Sequence, residues 1–198
     1  MLFKIKKLKI ELSFYFLLII SFILVTDQSK IAKYFVLSIL IHELGHLIFI
    51  LYYKIKIDKI SFKIYGINIK IEDERYLKNY KDIILLLGGS LANFLAAIIT
   101  CLFLSDQDVF IMTNLILGVF NLFPVDSLDG GKMINIILFS FLPMNIAYNI
   151  ILILNIIFIA VFSVINFLFI IHGSFNLTLT ILCLMLIFKV IRIKEINL

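Results

Sequence analysis

The sequence predicts an all-α polytopic membrane protein of about six transmembrane helices, with a small β-hairpin between spans two and three. Three observations predict it. The 198-residue chain is 63% hydrophobic and 16% charged, with mean hydropathy +1.13. Globular composition near half apolar already fills a soluble core, so the excess must face lipid. Apolar stretches near the length of a bilayer crossing recur along the chain. Basic residues, finally, fall in groups that alternate with those stretches.

The predicted spans are 12–26, 31–53, 83–104, 109–125, 146–171 and 175–191. The first and last are short, and tilt or snorkelling lysines adjust such lengths. Residues 131–143 form a further apolar stretch, too short to span, and read as an interfacial or re-entrant helix. The start MLFKIKKLKI resembles a signal peptide's basic region, but no small-residue cleavage site follows. Residues 12–26 are therefore expected to be a retained span. One membrane-embedded domain, 1–198, accounts for the whole chain.

With six spans, 16 of the basic residues fall on one side and only Lys30 and Lys33 on the other, beside Asp27, Asp106 and Asp108. Lysine- and arginine-rich loops stay cytoplasmic, so both termini are expected in the cytoplasm of a multi-pass protein. The net charge of +5 follows from this topology, and nucleic acid is not an expected partner. Cys101 and Cys183 both lie in apolar runs and read as small buried hydrophobes, without a disulfide.

The loop 55–82 carries its own pattern. Ile60, Phe62 and Ile64 alternate with polar residues, as do Ile67, Ile69 and Ile71 after Gly66. Alternation on both sides of a glycine predicts a β-hairpin over about 59–71. It reads either as a cap over the helices or as an edge that pairs with an extended substrate segment.

The strongest chemical signal is His42-Glu43-Leu44-Gly45-His46, in the middle of the second span. Residues four apart share a helix face, so both imidazoles can hold one Zn²⁺ while the adjacent Glu43 takes a proton from attacking water. The chain has three histidines, two of them are here, and no basic residue of this span neutralises Glu43. Ionisable groups at membrane depth are expensive and point to function. A catalytic zinc takes a third protein ligand. His172, at the outer end of span five, reads as an exposed loop residue. Asp126 and Asp129 flank a break that Pro124, Gly130 and Gly131 impose, and spacing does not choose between them.

His42-Glu43-Leu44-Gly45-His46 on one span, with Asn121-x-x-Pro124-x-x-x-Leu128-Asp129-Gly130 on a later one, resembles the site-2 protease family of intramembrane zinc metalloproteases, peptidase family M50. The resemblance covers nearly the whole chain and extends to the six-span sporulation branch, the stage IV sporulation protein FB type. It implies Asp129 as third ligand and Asn121 and Pro124 as substrate-facing residues. It also implies a membrane-tethered protein substrate, in that branch an inactive sigma-factor precursor. Regulatory membrane proteins are a further expected class of partner. Gly89-Ser90-Leu91-Ala92-Asn93 is similar to the family's Gly-Pro-x-x-Asn, with Ser90 in place of proline. Asn93 then reads either as a donor to substrate or oxyanion or as helix–helix glue. That branch often carries a cytoplasmic CBS domain after its last span; none is expected here, since the sequence stops at Leu198. The Ile, Asn and Lys bias suits a low-GC bacterium, hence a bacterial cell membrane. The rival classes are a family member that binds substrate without cutting, against which the intact Glu43 argues, and a membrane metal-binding or transport protein. A transporter would show paired broken helices in two repeated halves, whereas one break is evident here.

Overall fold

The computed structural model describes residues 2–5, 8–12, 21, 31–55, 57–63, 66–71, 80–104, 107–126, 128–173 and 180. Five long helices are described: α1 (Ile31–Tyr52), α2 (Tyr80–Phe103), α3 (Asp108–Asn121), α4 (Asp129–Phe141) and α5 (Met144–Ile171). Four strands accompany them: β1 (Leu2–Ile5), β2 (Leu8–Leu12), β3 (Ile57–Lys63) and β4 (Gly66–Ile71). The chain divides into two compact units, Met1–Leu122 and Phe123–Leu198.

Three helices, α1, α2 and α5, are long and apolar enough to cross a membrane, with hydropathies of 1.9, 2.2 and 2.8. At 1.5 Å per residue α1 reaches about 33 Å, enough for a hydrocarbon core of about 30 Å. Helix α3 has 14 residues and stops at Asn121, three before Pro124. The predicted fourth span, 109–125, is thus a shorter helix followed by an unwound segment. The predicted spans 12–26 and 175–191 lie outside the described residues, apart from Leu12, Ser21 and Thr180.

Burial is inverted relative to a soluble protein. In the first unit Ser38, His42, His46, Asn93, Thr113 and Asn114 are buried, while Leu37, Leu40, Leu44, Ile48 and Leu51 of α1 are exposed. Lipid solvates the leucines as well as a protein core would, so small and polar side chains occupy the interior. This pattern and the three apolar helices support an integral membrane location.

In the first unit α1, α2 and α3 pack on one another. Helices α1 and α2 meet at glycines. A Cβ on Gly45 would strike the Gly88 carbonyl oxygen, and one on Gly88 would lie 2.5 Å from the Phe49 ring. Small residues let backbones approach this closely without a hydrophobic driving force. Tyr34 Oη donates to Gln107 Oε1 at 2.8 Å, tying the start of α1 to the start of α3.

The backbone of β1 to β4 forms one sheet in the order β1-β2-β3-β4. Strands β1 and β2 are antiparallel, β2 and β3 parallel, β3 and β4 antiparallel with a bulge between Ile57 and Lys59. Residues 2–11 were expected only as a basic flank of the first span, and Leu12 as the first residue of that span. Their apolar residues Phe3 and Ile5, then Leu8, Ile10 and Leu12, alternate with Lys4, Lys9 and Glu11, which is the period of a strand.

In the second unit α4 packs on α5. Phe123, Phe158 and Phe162 form an aromatic cluster with ring centroids 5.5 to 6.2 Å apart. The short helix expected at 131–143 is α4, which already begins at Asp129. Gly130 and Gly131 therefore lie inside its first turn and do not form the break, as the sequence had suggested. Gly131 is needed for space: a Cβ there would collide with the carbonyl of Val125.

Gly45→Val should lower stability by about 1–3 kcal/mol, the usual cost of overpacking, measured by thermal unfolding in detergent. A wild-type unfolding temperature would mean that the α1–α2 crossing tolerates separation.

Candidate metal centre

The first unit brings two of the expected ligands together. His42 and His46 are one turn apart on α1, 5% and 7% exposed. Their rings meet edge to face with centroids 4.7 Å apart, and their Nε2 atoms lie 3.1 Å from each other.

The neighbours decide which nitrogens carry hydrogen. His46 Nδ1 is 2.8 Å from the carbonyl oxygen of Leu85, one turn before Gly89 on α2. A carbonyl only accepts, so this Nδ1 is an N–H. His42 Nδ1 is 2.8 Å from Asn93 Oδ1. Asn93 Nδ2 donates to the Ser38 carbonyl at 2.9 Å and to Asn114 Oδ1 at 2.8 Å. Both amide hydrogens are thus in use, Oδ1 is the atom that faces His42, and His42 Nδ1 is also an N–H.

The two Nε2 atoms face each other at 3.1 Å, on the side of the rings away from these acceptors. Zinc binds nitrogen at about 2.0–2.1 Å, and a tetrahedral angle separates two such nitrogens by about 3.3 Å. The observed 3.1 Å fits that donor set. A metal-binding histidine ordinarily gives its other N–H to an oxygen acceptor, as both do here.

Gly89 leaves room for this pair. A Cβ at position 89 would lie 2.5 Å from His46 Nε2 and His42 Cε1, and 2.6 Å from His42 Nε2. The sequence had presented Gly89 only as part of a motif and a small-residue packing face. Helix α2 runs unbroken through Ser90, which is buried. Glu43 follows His42 on α1 and is half-buried.

The remaining expected residues need separate description. Asn121 ends α3, its Nδ2 donating to the Leu117 carbonyl at 3.1 Å. Pro124 is half-buried in the unwound segment. In the second unit Asp126 anchors that segment. Its backbone N–H donates to Asn155 Oδ1 at 3.1 Å, and its carboxylate accepts from Asn135 Nδ2. Asp129 is the first residue of α4, 6% exposed, and its Oδ1 accepts from Lys132 Nζ at 3.0 Å. His172 is exposed at the end of α5, its Nδ1 bonded to the Leu168 carbonyl.

Searched against protein-family models, the chain matches none. Its fold is similar to that of a solved structure, the site-2 protease from Methanocaldococcus jannaschii, with TM-score 0.65 and 22% identity, covering 96% of this chain and 92% of that one. In sequence it is similar to stage IV sporulation protein FB of Bacillus subtilis (strain 168), 24% identical over 149 residues. The match takes in 72% of this chain and 52% of that protein, so the chain spans about half the length of this relative. The likeness to the solved structure is one of fold.

Gly89→Ala should weaken zinc binding about tenfold or more, the scale seen when support around a ligand is disturbed. Gly118→Ala, whose Cβ would meet the Phe94 ring at 2.7 Å, supplies the control. Zinc titration of metal-stripped protein checks both, and equal affinities for the two variants would contradict a glycine requirement at the histidine pair.

Proposed function

We propose that the chain is an intramembrane zinc metalloprotease that hydrolyses a peptide bond of a membrane-tethered protein near the cytoplasmic face. The observation that carries this reading is the pair of buried imidazoles of His42 and His46, their Nε2 atoms 3.1 Å apart on an apolar helix. His42, His46 and Asp129 hold the zinc. Two imidazoles and a carboxylate, all buried, are a donor set that suits it. Asp129 is favoured over Asp126 because it stands in the Leu128-Asp129-Gly130 motif and is the more deeply buried of the two.

Zinc, when bound, supplies a Lewis acid that polarises the scissile carbonyl and makes water nucleophilic near neutral pH. Glu43 accepts the proton of the attacking water on its carboxylate and passes it to the leaving amine nitrogen. Asn93 holds the His42 ring in place. Asn121 and Pro124 shape the wall against which the substrate lies. A helical substrate must unwind locally to expose its carbonyl, and pairing with an edge of the 59–71 hairpin assists this. The whole chain works as one domain of six spans in a bacterial cell membrane, with both termini cytoplasmic, as the basic loops favour. The likeness to stage IV sporulation protein FB favours a role in sporulation, where the family resemblance implies a sigma-factor precursor as substrate.

Glu43→Gln should retain zinc and lose cleavage of a co-expressed tethered precursor by at least about a hundredfold, the lower range for general-base catalysis. Immunoblotting for the shortened product reads it, and continued cleavage would remove Glu43 from the mechanism. Asp129→Ala should strip zinc from the purified protein while Asp126→Ala retains most of it. Equal losses, measured by elemental analysis, would leave Asp129 unsupported as the ligand.

A further inference from the structure

Helix α5 is the most apolar of the three membrane-length helices, yet it buries an amide. Asn155 is 4% exposed, whereas Asn145 and Asn149 of the same helix are exposed and Asn166 is half-buried. A buried amide is costly unless bonded, and the bonds of Asn155 fix its direction. Its Nδ2 donates to the Ile151 carbonyl of its own helix at 2.9 Å. Its Oδ1 accepts from the backbone N–H of Asp126 at 3.1 Å. Both partners are main-chain groups of fixed polarity, so turning the amide over would lose both bonds. The bond reaches the unwound segment inside its turn. There Val125 N–H donates to the Phe123 carbonyl at 2.8 Å, and Leu128 N–H to the Val125 carbonyl at 2.7 Å. Those bonds close the turn on itself. Helix α5 takes hold of it at Phe123, whose ring packs on Phe158 and Phe162, and at Asp126. Residues 155, 158 and 162 follow at helical spacing, so they form one stripe of α5.

We propose that Asn155 is a positioning residue for the metal centre: by holding the Asp126 backbone on α5 it sets where α4 begins, and so where Asp129 presents its carboxylate. This rests on the zinc reading, with Asp129 as a ligand. Helix α4 starts at Asp129, and its N-cap, Leu128, makes no side-chain cap bond. The start of the helix is therefore placed by the segment that leads into it. That segment lies close against the first turn, since a Cβ on Gly131 would collide with the Val125 carbonyl. A shift of the turn along α5 would carry Asp129 with it, three residues on. Asn155 acts on a main-chain N–H, so the role is independent of the Asp126 side chain, which accepts from Asn135 of α4.

The test uses the full chain in detergent, stripped of metal, and reads amide hydrogen exchange first. In Asn155→Leu the amides of residues 126–129 should exchange about tenfold faster or more, while those of α1 and α2 keep wild-type rates, as for a local opening. Zinc titration of the same variant should show a dissociation constant raised about tenfold or more. Asn155→Asp keeps an acceptor oxygen toward the Asp126 N–H and should match wild type in both readouts. Asn166→Leu, which removes another amide of α5, one that accepts from Thr180, should alter neither. Wild-type exchange at 126–129 or wild-type zinc affinity in Asn155→Leu overturns the inference. So does faster exchange that extends to α1, or an equal effect of Asn166→Leu. If wild type takes up no zinc, the metalloprotease reading falls, while exchange at 126–129 still decides whether Asn155 holds the segment.

Discussion

The contact between α1 and α2 at Gly45 and Gly88 is the constraint on which the rest of the first unit depends. It brings the Leu85 carbonyl and the Asn93 amide of α2 within 2.8 Å of the two Nδ1 atoms on α1. A side chain at position 45 or 88 would separate the backbones, and both bonds would lengthen together. Gly89 extends the same requirement by one residue, since there α2 meets the imidazoles themselves. Three successive demands for absence of a Cβ thus act on one crossing. In water such a helix pair would be weakly held. In lipid, where apolar burial gives little drive, close packing and interhelical hydrogen bonds hold it.

Polar residues in the interior form a connected set. Ser38, Asn93, Thr113 and Asn114 link α1, α2 and α3 through 2.8 to 3.0 Å bonds. An unpaired amide at this depth would be expensive, so each of these side chains constrains the next. His42 is bonded to Asn93, whose amide is in turn bonded to α1 and α3.

Much of this was legible from residue order because it is periodic. The i, i+4 histidines follow directly from helix geometry, and the apolar lengths located the helices to within a few residues. Other features depend on contacts between elements. Asn93 stood out as an amide in an apolar helix, yet nothing local chose between glue and oxyanion donor; the Ser38 carbonyl and Asn114, 21 residues away, decide that both its hydrogens are occupied. Asn114 is a second amide of this kind, buried in α3. The strands at 2–12 were hidden by their lysines, which fitted a membrane flank equally well. Gly130 and Gly131 looked like helix breakers because glycine permits unusual angles. Their helical backbone shows that the demand is for room beside Val125, which sequence cannot display.

The shortness of α3 has a consequence for hydration. Fourteen residues reach about 21 Å, roughly 9 Å less than the hydrocarbon layer. Lipids beside its end must thin, or polar solvent must descend to meet it. A truncated helix therefore brings either a thinned bilayer or polar solvent toward the backbone that follows Asn121.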